Sequence, residues 1–166
     1  MIIKTKIEYE DYRKLLFTLT YKKVSTIVIT IVGTFFILFQ LVAYFLISTY
    51  EIDTAPLLVG CGMVVLFPIS IIVSSKRNFY SNQLLQEEME YEFTEEQMKI
   101  KGESFSSEVQ WNKTNRIVEI KDWFLIFQSK ISANLIPKKN LSEKEINEIK
   151  AIFLKQKGIK LKLKKN

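Results

Sequence analysis

Two long stretches without a charged residue constrain this chain more than anything else in it. Residues 24–50 carry no charge, and 19 of these 27 residues are apolar. Residues 54–75 carry none either, and 14 of these 22 are apolar. A helix needs about 20 residues to cross a hydrocarbon core of roughly 30 Å, so both stretches are long enough. Core helices of soluble proteins seldom run this far without a charge, and a chain of 166 residues is too short to wrap two of them. The expectation is two transmembrane helices, 24–50 and 54–75. Only Glu51-Ile52-Asp53 separates them, which forces an antiparallel hairpin with both chain ends on one side.

The side follows from lysine and arginine placement. Arg13, Lys14, Lys22 and Lys23 precede the first stretch, and Lys76 and Arg77 follow the second. The connection between them has two acids and no base. The expected location is therefore the cell membrane, multi-pass, with both termini cytoplasmic. Tyr21, Tyr44 and Tyr50 sit where interfacial anchors belong. The first stretch does not read as a secretory leader: Glu8, Glu10 and Asp11 precede it and no small-residue cleavage site follows.

Four residues inside the hairpin stand out as helix-packing candidates. Gln40 lies mid-helix, where an interhelical hydrogen bond is its simplest use. Gly60 and Gly62 allow another helix to come close, and Pro68 removes a backbone donor and bends its helix. No ionisable acid or base lies within either helix, which argues against proton- or ion-coupled transport. Cys61 reads as an inert small residue.

The flanking segments read as a cytoplasmic module. Ile3, Thr5, Ile7 and Tyr9 alternate with charged residues, the period of a half-buried strand. Residues 11–22 have helical spacing. In 88–93, acids alternate with Met89, Tyr91 and Phe93, so three glutamates fall on a solvated strand face rather than in a metal site. Further strands are expected at 97–101, 104–111, 116–120, 123–127 and 134–136, the last stopped by Pro137. Ser142 and Glu145 have capping-box spacing. Ile146, Ile149 and Phe153 then recur on one helical face, and Gly158 marks the stop. The expected fold class is α+β: a two-helix transmembrane hairpin plus a small antiparallel β-meander capped by one C-terminal amphipathic helix. The domains read as 1–23 (strand and helical lead-in), 24–75 (hairpin), 76–158 (cytoplasmic domain) and 159–166 (basic tail).

The residues of the last part resemble the YcxB-like family of small bacterial membrane proteins. The resemblance is carried by Trp111, Ile117, Glu119, Trp123, Phe124, Leu135, Ile136, Pro137, Lys138 and Lys139, and by Glu10-Asp11-Tyr12 near the start. It implies two membrane helices and a cytoplasmic domain related to pleckstrin-homology-like (PH-like) barrels, and it implies no catalytic residues. Trp111, Trp123 and Pro137 are then family-motif core residues. The lysine-rich tail departs from the family pattern.

That tail accounts for the charge. The formal net charge is +6, and 155–166 contains six lysines and no acid, so the rest of the chain is neutral. A neutral folded part argues against nucleic-acid binding. Lys160, Lys162, Lys164 and Lys165 alternate with aliphatics or close the chain, and each lysine is worth about 1 kcal/mol near an anionic leaflet. They join Lys138 and Lys139 as candidate lipid or partner contacts. A solvated tail, or an extra edge strand beside the acidic 87–96 segment, is the alternative. With no histidine and one cysteine, imidazole catalysis, Cys-cluster metal sites and intrachain disulfides are excluded. No phosphate-cradling glycine loop is present. The expectation is no catalytic residue, no metal, no cofactor and no small-molecule substrate. It is a non-enzymatic membrane protein that anchors a small module for binding lipid, a protein partner or a second copy of itself. Self-protection against a membrane-active peptide, and an accessory subunit of an enzyme or transporter, are the alternatives.

Overall fold

The computed structural model describes residues 1–47, 49 and 51–164. Tyr50 and Lys165, singled out above, lie outside the described residues. The chain divides into two compact units: 8–82, and 1–7 together with 83–166. The first strand therefore belongs with the C-terminal module, and the helical lead-in belongs with the hairpin.

The hairpin unit begins with α1 (Tyr9–Tyr21), whose buried face is Tyr12 and Leu15. Tyr9 is the first residue of this helix rather than part of the strand before it. Helix α2 (Val24–Leu46) ends earlier than expected, because Ile47 already has extended backbone. The second long helix runs Thr54–Ser81 as α3 (Thr54–Cys61), a π-helical turn (Gly62–Leu66) and α4 (Phe67–Ser81). It continues past Lys76 and Arg77, because charges end a membrane-length segment without ending a helix. Pro68 near the start of α4 has no N–H to give to the turn before it, and the widened π turn takes up the mismatch. The α4 extension packs on α1: the Tyr9 and Tyr12 rings each lie 5.8 Å from that of Phe79.

Among its described residues the second unit holds eight strands and one α-helix. Strands β1 (Ile2–Lys6), β2 (Glu88–Phe93), β3 (Gln97–Lys101) and β4 (Ser106–Gln110) form one antiparallel sheet in sequence order. Strands β5 (Arg116–Ile120), β6 (Trp123–Phe127) and β7 (Ala133–Pro137) form the core of a second sheet. Helix α5 (Glu143–Lys155) follows. Then β8 (Lys160–Lys162) pairs with β5 in parallel. The alternation read from sequence is present: Ile3, Met89, Tyr91, Phe93, Met98, Ile100 and Val109 enter the core from the first sheet. Ile117, Phe124, Ile126 and Ile136 enter it from the second, and Ile149 and Phe153 from α5. The phenyl ring of Phe153 meets Phe93, Trp111 and Phe124 edge-on.

One expectation and one alternative are corrected. The single meander is instead two sheets. A 3-10 turn at Trp111–Lys113 carries the chain from β4 to β5, and no hydrogen-bonded strand pair among the described residues joins the sheets into a closed barrel. The tail is not placed beside the acidic segment. Both edges of β2 are taken by β1 and β3, so β8 fills the open edge of β5. The glutamates of β2 face lysines instead, with Lys4 3.3 Å from Glu90 and Lys99 3.7 Å from Glu92.

Candidate functional site

The most unusual chemistry in the β-rich unit is a buried carboxylate. Glu119 lies on β5 two residues after Ile117, so period-2 geometry points it to the core side of the sheet. Its side chain is 2% exposed. An ion there must be paired, and three chain segments supply the partners. Lys138, just past β7, donates from Nζ to Glu119 Oε1 at 2.8 Å. The Lys150 ammonium of α5 lies 3.2 Å from Oε2. The backbone N–H of Lys164, just past β8, donates to Oε2 at 2.9 Å. Lys150 also donates to the Lys164 carbonyl at 3.3 Å, and the Lys138 ammonium lies 5.2 Å from the Phe124 ring centre. Burial by itself would raise the Glu119 pKa. The hydrogen bonds from Lys138, the Lys164 backbone and Lys150 outweigh it and hold the carboxyl below its ordinary value.

The local sequence explains the convergence. The capping box is complete: Ser142 Oγ accepts from the Glu145 N–H at 3.3 Å, and Glu145 Oε2 accepts from the Ser142 N–H at 2.8 Å. This sets the start of α5, and with it the face carrying Ile146, Ile149, Lys150 and Phe153. Gly158, at φ +83°, turns the chain back toward β5 in a backbone region that other residues rarely adopt. A cavity of about 480 Å³ opens over the cluster, lined by Glu119, Lys138, Lys150 and Lys164 with Glu143, Ile146 and Asn147.

The residues singled out from sequence fall into three groups. Lys138, expected as a lipid or partner contact, is instead turned inward, with a side chain 11% exposed and bound to Glu119. Lys164 is held through its backbone and lines the cavity. Lys139, Lys160 and Lys162 are exposed. Trp111 is in the core and donates from Nε1 to the Thr94 carbonyl at 3.1 Å. Trp123 and Pro137 are buried but outside that core cluster. Lys150 went unread, although a lysine four residues after Ile146, beside an otherwise apolar helical stripe, was a signal that a buried acid faced it.

The hairpin candidates separate as well. Gln40 is buried, and its Oε1 accepts from the Asp53 N–H at 3.2 Å, which ties α2 to the start of α3. Gly60 does pack: a Cβ there would stand 2.8 Å from the Gly33 carbonyl oxygen. A Cβ at Gly62 would make only an ordinary contact, 3.9 Å from Leu66 Cδ1. Gly33, the true counterpart of Gly60, was not singled out. Its signal was the seven-residue spacing of Thr26, Gly33 and Gln40, all buried on one seam of α2.

Comparison with known proteins bears on the same cluster. Residues 93–153 match the family model of YcxB-like proteins. The match runs from the end of β2 into α5, so it contains Glu119, Lys138 and Lys150 and leaves out β8, Lys164 and the hairpin. No curated protein and no solved structure matches the chain. The cluster is chiefly a clamp: one carboxylate, inside the matched segment, holds the β7–α5 link, α5 and the end of β8 against the sheet.

Proposed function

We propose that this is a non-enzymatic integral membrane protein that holds its β-rich module at the cytoplasmic face, where the module binds lipid or a protein partner. The observation that carries the reading is the outward orientation of large apolar side chains along both long helices. Phe35, Phe45 and Leu58 are 60%, 80% and 70% exposed. A helix in the core of a soluble protein would bury such residues, and a surface helix in water would not carry so many. The two helices, Val24–Leu46 and Thr54–Ser81, have the length and hydropathy to span a bilayer. Lysine and arginine flank their chain-terminal ends, and only acids lie in the connection. The Glu119 clamp fits a binding module, because its ions are committed to holding elements together rather than to a reacting atom.

The test uses single cysteines in a Cys61→Ser background. Glu51→Cys should react with an impermeant maleimide on intact cells, and Lys130→Cys only after lysis. The protein should resist extraction by alkaline carbonate. Release by carbonate would overturn membrane insertion, and the reverse labelling pattern would overturn the orientation.

A further inference from the structure

A second recess runs along α5 and β8. Its floor is apolar: Ala151 and Leu154 from α5, and Leu161 and Leu163 from β8 and the residues just beyond it. Leu154 is 68% exposed, while Leu161 and Leu163 are half-buried against the core, so among the described residues the Leu154 side of this floor is uncovered. The recess has a volume of about 600 Å³, within the range of small-ligand clefts. Its remaining walls are Asn147, Lys150 and Lys164, so it holds two lysines and no acid. Lys164 and Lys150 also line the cavity over Glu119, so the apolar trough ends at the cationic cluster. Along β8, Lys160 and Lys162 alternate with Leu161 and Leu163 and project away from the leucines.

An apolar trough lined at one end by two lysines and no acid, with the Lys150 ammonium already held by Glu119 and Lys164 left to meet a ligand, is complementary to an anionic amphiphile. We propose that the α5–β8 groove seats an anionic phospholipid, with an acyl chain on Leu154, Leu161 and Leu163 and the phosphate at Lys164. This rests on the membrane reading above, which brings lipid within reach of the module. Glu119 acts here as a positioning residue. Its carboxylate takes the Lys164 N–H and the Lys150 ammonium, so it sets where the β8 wall stands relative to α5. Glu119 and Glu143 line only the neighbouring cavity, where Lys138, Lys150 and Lys164 oppose them. A protein strand adding to the free edge of β8 would need neither the trough nor its lysines.

The full-length protein is placed in phosphatidylcholine nanodiscs doped with phosphatidylglycerol carrying a diazirine on its acyl chain. After irradiation the labelled peptides are mapped by mass spectrometry. The expected result is labelling of the hairpin and, separately, of residues 151–163. Groove labelling should fall about fivefold in Lys164→Gln, the factor one lysine is worth at an anionic surface. It should be lost in Leu154→Asp, a substitution at an exposed position that spares the core. It should persist in the Lys160→Gln/Lys162→Gln double variant. Hairpin labelling without groove labelling overturns the groove site and leaves the membrane reading standing. Equal groove labelling by a phosphatidylcholine probe, or an equal fall in the double variant, also overturns it. Absence of labelling from both regions overturns both readings.

Discussion

The β-rich unit and the charge-free stretches of the two long helices enclose different kinds of residue. In the β-rich unit Phe93, Phe124, Phe153, Met98 and Ile117 are almost wholly enclosed, while the glutamates and lysines of β2 and β8 face outward. In the hairpin unit the enclosed positions include Thr26, Gly33, Gln40, Gly60 and Ser75, while phenylalanines and leucines face outward. The first arrangement is what water selects, since apolar burial drives the fold. The second is the arrangement hydrocarbon would select, as the proposed membrane insertion requires. There a phenylalanine gains nothing by moving inward, and close backbone approach and internal hydrogen bonds hold the helices. On the membrane proposal, one chain carries patterning for two solvents, and the change occurs near Ile7 and Asn82, where the units meet in sequence.

The sharpest way to break this contrast is to remove one aromatic from each unit. Phe153→Ala should cost about 4 kcal/mol, because it empties the centre of the β-rich core. Phe35→Ala should change stability by less than about 0.5 kcal/mol, because its ring already faces outward. Denaturation of the full-length protein in detergent can follow both. Tryptophan emission reports the β-rich unit, since Trp111 and Trp123 both lie in it, and helical circular dichroism reports the hairpin. Equal losses would erase the distinction.

Glu119→Gln comes next, at about 3 kcal/mol, because it leaves two poorly exposed ammonium groups without their counter-charge. The pH dependence has a definite sign. The folded-state pKa of Glu119 is lowered, so the unfolded chain binds its proton more readily and stability rises with pH through that window. The contribution is complete above the ordinary carboxylate pKa of about 4.3 and is lost as pH falls through the lowered value. The wild-type acid limb should therefore be steeper than that of Glu119→Gln. Parallel limbs would show that the carboxylate is not the clamp.

Gly60→Ala is a smaller, local probe of the hairpin. The added Cβ meets the Gly33 carbonyl at 2.8 Å, and relieving that contact should cost about 2 kcal/mol. Gly62→Ala meets only the flexible end of Leu66 at 3.9 Å and should be neutral or slightly stabilising, because alanine is the better helix former. If both substitutions cost the same, the Gly33–Gly60 seam is not what holds the helices.

What could be read from the residues, and what could not, follows the range of the forces involved. Strand alternation in 88–93, the Ser142 capping box and the charge-free stretches are local patterns, and the structure keeps all of them. The break between the two sheets was not legible, because the 3-10 turn at Trp111–Lys113 looks in sequence like the end of a longer strand. The partner of β8 depended on which strand edge stayed open, which is a property of the assembled sheets. The Lys138–Glu119 pair was not legible for a related reason: whether a lysine faces water or a buried acid depends on Glu119, 19 residues away. Gly33 escaped because its counterpart lies on another helix.

The measurement closest to the central claim is collisional accessibility of spin labels on the reconstituted protein. In a Cys61→Ser background, one label replaces Phe35 and another replaces Lys99 on the outer face of the first sheet. The account predicts that the label at 35 collides with oxygen and is shielded from a water-soluble nickel chelate, while the label at 99 shows the reverse. Equal nickel accessibility at both sites would contradict it, since the outward phenylalanines of the hairpin would then stand in water.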